Sequence, residues 1–242
     1  MARTKKSTLQ KTEKMLLAKP TRRADGMETR ATIIECAGRL FAKNGFDKTT
    51  SKSICEKAKV NLASVNYYFG SREGLYIAVL EEIHDRITQL TVLSDIKKSS
   101  VDPQEKVERL LDFFIANLTK KNAWTLRLWS RELLAPTPYL QGVIRKKVLP
   151  KFSILVTIFS NYLGYSPEDI RLYAAILNTM SPFVLVFLGQ NSPLPNQVPI
   201  QFPKELLLKQ LRNNAMTVLA SLRNSETGRK YSEKVSDLGY KA

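Results

Sequence analysis

The chain has 242 residues with a hydrophobic content of 43%, which is enough to bury the core of one large domain or two smaller ones. Its formal net charge of +16 favours a polyanionic partner, with a solvated charge run or a membrane-surface contact as the alternative. No apolar run approaches the roughly 20 residues that span a bilayer, and no signal-peptide core is present, so we expect a cytoplasmic protein without a membrane segment.

Residues 1–25 are rich in Lys, Arg and Thr, and they contain little apolar surface to offset the entropy of ordering. Residues 1–72 contain sixteen Lys and Arg residues against six Asp and Glu residues, a surplus of ten positive charges. We interpret residues 1–25 as a flexible basic arm. Such an arm can follow phosphates or enter the minor groove, or it can be a solvated leader, and the sequence leaves both open.

The next segment, residues 27–46, has the periodicity of an amphipathic helix. Ile33, Ala37 and Phe41 recur on one face of that helix, and Asn44-Gly45 is a signal for its C-terminus. The segment is followed by a polar stretch, so we expect the first helix to end there.

Residues 50–69 form a pattern of two short helices joined by a tight turn. Thr50 can cap the first helix, which carries Ile54 and Ala58 one turn apart on its apolar side. Asn61 can cap the second helix. This spacing is typical of a helix-turn-helix, although an ordinary αα-corner in a helical core has the same pattern.

If the pattern is a helix-turn-helix, the second helix buries Val65 and Phe69 and turns its other side chains toward a ligand. Those side chains are small, amide-bearing or phenolic, and such groups can contact base edges or phosphate oxygens. After the motif, Ser71 caps a long helix that we expect to continue to about residue 93. The exposed N-terminus at Ser71-Arg72 is suited to binding phosphate.

These segments together resemble the DNA-binding domain of the TetR/AcrR family of bacterial transcriptional regulators. The resemblance covers roughly residues 27–87, and many positions agree in order and spacing. The matching residues are Ile33-Ile34, Leu40-Phe41, Asn44-Gly45-Phe46, Thr49-Thr50, Ile54, Ala58, Val60-Asn61, Tyr68-Phe69 and Ser71-Arg72-Glu73-Gly74-Leu75. The resemblance implies that the helix at 62–69 lies in the major groove.

Three positions depart from the family pattern. Lys59 stands in the turn where relatives usually have Gly, and a left-handed conformation there would cost about 1 kcal/mol. Ala63 replaces a Gly that is common early in the recognition helix, and Asn66 replaces a frequent Tyr. The operator sequence therefore cannot be carried over from relatives.

The motif and the resemblance together give a predicted set of DNA-binding residues. The set is Thr50, Ser51, Asn61, Ala63, Ser64, Asn66, Tyr67, Tyr68, Ser71 and Arg72. Within it, the Asn66 amide can form paired hydrogen bonds with adenine, whereas the single hydroxyl of Tyr68 suits a phosphate.

Beyond residue 88 the apolar periodicity is helical throughout, and no strand alternation persists, so the predicted fold class is all-α. The predicted helices start at Asp102, at Trp124, at Tyr139 with a kink or division at Pro150, at Ser166-Pro167-Glu168, and at Lys204. The resulting domains are a basic arm (1–25), an N-terminal three-helix helix-turn-helix DNA-binding domain (26–87, motif 50–69), a larger helical effector-binding and dimerisation bundle (88–223) and a disordered tail (224–242).

By the same resemblance, the second domain would bind a small effector and dimerise through its last two long helices, 168–189 and 204–222. Both helices have apolar stripes wide enough for a bundle on one side and a partner on the other, unless all of that surface is intrachain core. Large or amphipathic residues are candidates for an effector pocket, although they could equally be core: Trp124, Trp129, Phe152, Tyr162, Tyr173, Asn178, Met180 and Phe183. The lack of clustered internal charge favours an apolar or amphipathic effector.

Catalytic and metal chemistry find little support in the sequence. The single histidine, His84, has no second His to complete a metal site, and no phosphate loop or nucleophile elbow is present. Cys36 and Cys55 fall on apolar helix faces, so we expect buried free thiols. We predict neither an enzyme nor a cofactor.

We therefore interpret the chain as a ligand-responsive transcriptional regulator, most simply a repressor that binds a palindromic operator as a homodimer and is released by a small molecule. The alternative is a basic helical protein that binds nucleic acid or acidic membrane surfaces without sequence specificity. Competition with unrelated DNA separates the two. The operator, the effector, the target genes and the choice between repressor and activator cannot be read from the sequence.

Overall fold

A computed structural model describes residues 22–119, 123–189 and 203–224, and all regular structure in these ranges is helical. The N-terminal unit consists of α1 (Arg22–Asn44), α2 (Ser51–Ala58), α3 (Leu62–Phe69) and α4 (Arg72–Ile87). The larger unit consists of α5 (Leu90–Lys98), α6 (Pro103–Thr119), α7 (Ala123–Leu134), α8 (Leu140–Val143), a π-helical turn (Ile144–Val148), α9 (Leu149–Leu163), α10 (Ile170–Gly189) and α11 (Lys204–Asn224). The all-α prediction is confirmed.

Helix α1 begins at Arg22, inside the range assigned to the basic arm. The rest of the arm, residues 1–21, and the predicted tail beyond Asn224 lie outside the described residues.

The core of the N-terminal unit contains the side chains that the periodicity placed there. Ile33, Phe41 and Ile54 are fully buried, and Val65 holds α3 against them. Tyr76 of α4 extends this core, because its ring lies edge-on to Phe41 with 4.7 Å between centroids.

Side-chain caps fix where the helices of the motif begin. Thr50 Oγ1 accepts a hydrogen bond from the Ser53 amide, and Asn61 Oδ1 accepts one from the Ser64 amide at 2.8 Å. Each cap satisfies a backbone N–H that the helix itself cannot pair. The entry and exit of the turn between α2 and α3 are thereby set by residues next to it in sequence.

The turn between α2 and α3 requires a left-handed residue, and Lys59 provides it. Lys59 has φ 55° and ψ 42°, the only positive φ outside glycine among the described residues. The Val60 amide then donates to the Cys55 carbonyl at 3.0 Å, which closes the end of α2. The chain therefore adopts the family's glycine conformation with a residue that has a Cβ.

The two units are packed together through α7, which lies against α1 and α4. A β-carbon at Gly38 would come within 2.2 Å of the Trp124 ring, so the indole lies directly on the α1 backbone. The Tyr76 hydroxyl donates to Glu132 Oε1 at 2.6 Å, and this carboxylate is buried. The position of the N-terminal unit is thus fixed by side chains of the larger unit.

The predicted long helix from Ser71 to about residue 93 is interrupted. Helix α4 ends at Ile87, Thr88 is extended, and α5 begins at Leu90. Ile83 of α4 and Leu93 of α5 are both fully buried on the two sides of this break.

Two other predicted features differ in detail from the structure. The helix expected from Ser166 begins at Ile170, because the Asp169 carboxylate accepts from the Arg171 amide at 2.9 Å and caps it there. Pro150 was expected to kink or divide the helix around it. The structure has a π-helical turn just before Pro150, which lies in the first turn of α9.

Replacing Lys59 by Gly is expected to raise the free energy of unfolding by about 1 kcal/mol, because glycine adopts φ > 0 without steric cost. Lys57→Gly is the matched control. It removes the same charge from an exposed helical position, and it should lower stability by about 1 kcal/mol. Urea unfolding measures the free energy of unfolding of both variants. If the two substitutions change it in the same direction, the prediction is wrong.

Candidate nucleic-acid interface and ligand cavity

Helix α3 presents a polar, uncharged surface to solvent. Its exposed side chains are Leu62, Ala63, Asn66 and Tyr67, while Val65 is buried. Tyr67 is 83% exposed, which makes it the most prominent group of the helix. Asn66 and Tyr67 are therefore the predicted site residues of α3 that are most available to a ligand.

Several other predicted site residues serve first as helix caps. The side-chain oxygens of Thr50, Asn61 and Ser71 each accept a backbone amide, and the Ser64 hydroxyl donates to Asn61 Oδ1 at 2.9 Å. Ser51 is half-buried in the first turn of α2. These groups position the motif, and their side-chain acceptors are already occupied.

The N-terminus of α4 is less suited to phosphate than the sequence indicated. The Arg72 guanidinium is half-buried, donates to the Thr49 carbonyl at 3.1 Å and lies 4.2 Å above the Phe46 ring. Glu73 already occupies the helix terminus, where its own backbone N–H and the Ser71 hydroxyl lower the carboxyl pKa. An anion of the protein itself therefore fills the expected phosphate position.

Tyr68 lies partly inside the fold. It is half-buried, a β-carbon at Gly26 would come within 3.3 Å of its hydroxyl, and its ring lies edge-on to Tyr67 with 5.0 Å between centroids. The Tyr68 side chain therefore joins α3 to the start of α1.

Sequence reasoning did not include the lysines that surround α3. Lys48, Lys52, Lys57 and Lys59 are exposed, and none forms an ion pair with another described residue. Their concentration in residues 48–59 was the available signal. They make the α2–α3 surface electropositive, as phosphate contact requires.

A cavity of about 460 Å³ lies in the larger unit, between the C-terminal end of α4 and helices α6, α9 and α10. It is lined by His84, Thr88, Phe114, Val148, Lys151, Phe152, Leu155, Tyr173, Ile176, Leu177 and Met180. A smaller space of about 130 Å³ adjoins it and shares Phe114 and Met180. The predicted pocket residues Phe152, Tyr173 and Met180 line the large cavity, and Trp129 and Phe183 line the small one.

Three predicted pocket residues lie elsewhere. Trp124 is at the junction of α1 and α7, and its indole N–H donates to Glu35 at 2.8 Å. Tyr162 is buried core with Arg223 above its ring, and Asn178 lines a separate space between α10 and α11. Helical periodicity marks which residues are apolar, but it does not distinguish a cavity wall from a packed interface.

The cavity has a charged corner that the sequence analysis missed. Lys151 is only 3% exposed, and its Nζ lies 2.8 Å from His84 Nδ1 and 3.0 Å from Asp85 Oδ1. Because an ammonium group only donates, Nδ1 accepts and the imidazole proton is on Nε2. Burial, together with the charge of Lys151, lowers the pKa of His84 to about 4, so the ring is neutral near pH 7. The expected absence of internal charge was wrong here.

Within the described part of the chain, no group of three or more His, Cys, Asp or Glu side chains could hold a metal ion. The cysteines are free: Cys55 is buried, whereas Cys36 is half-buried and its thiol lies 3.6 Å from the Lys57 carbonyl. Burial raises the pKa of both thiols. Over the same described ranges, no helix has the length and apolar character needed to span a bilayer.

Models of known protein families match parts of both units. Residues 33–79 match the family model described as bacterial regulatory proteins, tetR family, and residues 103–196 match that of the C-terminal domain of the HTH-type transcriptional dual regulator CecR. CecR of Shigella flexneri is 28% identical over 163 residues, which cover 63% of this chain and 73% of CecR.

Other similar regulators match over about a third of the chain. The repressor NicS of Pseudomonas putida is 34% identical over 35% of this chain and 39% of NicS. The regulator TtgR of Pseudomonas putida is 34% identical over 36% of this chain and 41% of TtgR. The matched region thus spans about two fifths of the length of these two relatives.

Solved structures match over most of the chain. A TetR-family regulator from Mesorhizobium loti superimposes with a TM-score of 0.58 at 15% identity, covering 84% of this chain and 98% of that one. The fatty acid degradation regulator FadR from Bacillus halodurans gives a TM-score of 0.57 at 16% identity, covering 77% and 94%. At these identities the likeness establishes the fold alone.

The helix-turn-helix unit and the attached helical bundle define a DNA-binding transcriptional regulator. The matching family model, the curated regulators and the structural neighbours agree on which group of regulators this is. Residues 33–79 form a DNA-binding domain of the tetR family, and the chain is similar to TetR-family regulators.

The lowered pKa of His84 predicts a pH-dependent stability. The unfolded chain has the ordinary histidine pKa of 6.5, so between about pH 6.5 and 4 it binds a proton that the folded protein does not. Stability should therefore fall as the pH falls through this window, by about 2 kcal/mol between pH 7 and pH 5.

Chemical unfolding at both pH values measures this difference. His84 is the only histidine of the chain, so His84→Gln should remove most of the dependence. A wild-type stability that is equal at pH 7 and pH 5 would show that His84 is not buried in neutral form.

Proposed function

We propose that the protein is a ligand-responsive regulator that binds a palindromic operator as a homodimer in the cytoplasm and is released by a small molecule. The observation that carries this proposal is the course of α4. The helix begins three residues after α3 ends, and its C-terminal end contributes His84 to the cavity wall. A ligand in the cavity would therefore touch the helix that follows the recognition helix.

Exposed apolar side chains on α10 and α11 support the homodimer. Leu177 and Leu185 of α10 are 69% and 67% exposed, and Leu207 and Val218 of α11 are also exposed. The predicted stripe of α10 is thus largely on the outside of the bundle, while Leu172 and Ile176 face the core. Several exposed large apolar residues on two neighbouring helices are typical of a subunit interface.

Release can be explained by the geometry of a two-fold dimer on DNA. Two recognition helices must enter successive major grooves about 34 Å apart. A ligand reduces operator affinity only if it binds better to a conformation in which this spacing is lost. The cavity lies beside both α4 and α10, so its contents can influence the recognition helix and the subunit interface together.

The direct test of the regulator is selective DNA binding. Fragments of the source genome selected by the purified protein should contain a shared palindrome. Binding to it should exceed binding to unrelated DNA by roughly 10³-fold or more. Equal affinity for selected and random fragments would favour the non-specific basic protein instead, which the unpaired lysines around α3 would serve equally well.

Within α3, we propose that Asn66 contacts a base and that Tyr68 contacts a phosphate. Asn66→Ala should then cost about 1 to 3 kcal/mol on the operator and relax the preference at one base pair of each half-site. Tyr68→Phe removes one oxygen and should weaken operator and random DNA alike. Affinities for a panel of single-base operator variants measure both effects. The assignment is wrong if Asn66→Ala lowers the affinity for all operator variants equally, or if Tyr68→Phe changes the preferred base.

The homodimer is tested by placing negative charges among the exposed apolar side chains of α10 and α11. Leu185→Glu combined with Leu207→Glu should give monomers in sedimentation experiments, because burying two carboxylates per subunit without partners is costly. Leu90→Glu, at an exposed leucine of α5, is the matched control and should leave the dimer intact. A double variant that remains a stable dimer would place the interface on another surface.

A further inference from the structure

Three polar residues of the large cavity are close together: Lys151 contacts His84, and Thr88 is one helical turn after His84. The Lys151 ammonium, the His84 imidazole and the Thr88 hydroxyl belong to residues that are each at least nine-tenths buried. No acidic residue is among those that line the cavity in the described structure. We propose that the cavity binds an amphipathic anion, with a carboxylate or similar acidic head beside these three residues and an apolar body beyond it.

Two of these groups can each donate one further hydrogen bond. Lys151 donates to His84 Nδ1, so the His84 proton is on Nε2, and Nε2 has no hydrogen-bond partner among the described residues. The Thr88 hydroxyl is likewise without a hydrogen bond in the described structure. Both residues line the cavity, so an acceptor atom of a ligand there would pair with them.

The electrostatic balance of this corner is positive. Asp85 is the carboxylate nearest to Lys151, and it is shared with Lys147, whose Nζ lies 2.5 Å from Asp85 Oδ2. Two ammonium groups thus face one carboxylate, with His84 neutral between them and the cavity. A ligand with one negative charge would neutralise this surplus in a site where charges interact more strongly than in water.

The remainder of the cavity is apolar and suits a hydrophobic body. Phe114, Leu155 and Ile176 form its inner wall, and the Phe152 and Tyr173 rings are stacked at its rim with 6.3 Å between centroids. A volume of about 460 Å³ is within the usual range for small-molecule sites, and the adjoining space of about 130 Å³ offers room for a longer body.

The charge requirement can be tested with three matched series of probes: n-alkanoates, n-alkanols and n-alkylamines of graded chain length. Calorimetric titration of the full chain near pH 7.5 should give at least about tenfold tighter binding of the best alkanoate than of the alkanol of equal length. The alkylamine should bind more weakly than either. Alkanols or alkylamines that bind as tightly as alkanoates, or no alkanoate binding up to about 1 mM, would overturn the proposal.

A pair of lysine variants assigns the preference to this corner. Lys151→Met should abolish the difference between alkanoate and alkanol while leaving alkanol affinity within about twofold. Lys146→Met is the matched control. It removes the same charge one turn away, where the side chain is exposed and paired with Glu81 rather than lining the cavity. Loss of the preference in both variants, or in neither, would overturn the assignment to Lys151. The comparison of probes on the wild-type protein remains decisive if Lys151→Met does not fold.

This inference rests on the proposed function only where it calls the ligand an effector. Binding is measured without DNA, so its outcome is separate from that of operator selection. Tight alkanoate binding that leaves operator affinity unchanged would keep the ligand class and reject the ligand-responsive regulator. Specific operator binding without any alkanoate preference would support the DNA-binding regulator and reject the ligand class.

Discussion

The carboxylate of Glu35 is the contact that joins the two units of the molecule. It accepts from Arg86 of α4 at 2.9 Å and from the Trp124 indole of α7 at 2.8 Å, so three helices meet at one group. Burial opposes its ionisation, but the hydrogen bonds from Arg86, Trp124 and Arg39 outweigh burial and lower its pKa. Gly38 allows the indole to lie against the α1 backbone beside this carboxylate. The orientation of the recognition helix relative to the cavity follows from this junction.

The DNA-facing side of the molecule separates positioning from contact. Thr50, Asn61 and Ser71 use their side-chain oxygens to begin helices, while Asn66 and Tyr67 remain exposed on α3. Positive charge comes from lysines around α3 and not from α3 itself. Under the proposed function, phosphate attraction and base contact would therefore arise from different elements. Such a separation allows the base-reading surface to vary among relatives without loss of the fold.

The cavity shows that a charged group inside a helical bundle has an energetic cost. A buried lysine is expensive to desolvate, and burial lowers the pKa of Lys151, while Asp85 and the His84 ring compensate for part of that cost. A leucine or methionine would fill the same position of α9 without this penalty. The presence of Lys151 is thus better explained by a ligand than by stability. Its contacts also attach α9 to the end of α4.

The sequence by itself determined the local features of this protein. Hydrophobic periodicity predicted the helices and the all-α class, Thr50, Asn61 and Ser71 predicted the caps, and the motif led to the family. These features depend on residues within one or two helical turns of one another, so they can be predicted from the sequence alone. Break points such as Thr88 were missed, because they depend on what the following helix must bury.

Only the tertiary structure decided which distant residues meet. Lys151 and His84 are 67 positions apart and Trp124 and Glu35 are 89 apart, and no local pattern relates them. Trp124 and Phe152 are equally plausible pocket residues by periodicity, yet one packs on α1 and the other lines the cavity. The reason is physical: periodicity fixes the apolar face of each helix, whereas the partner of that face is set by how all the helices pack together.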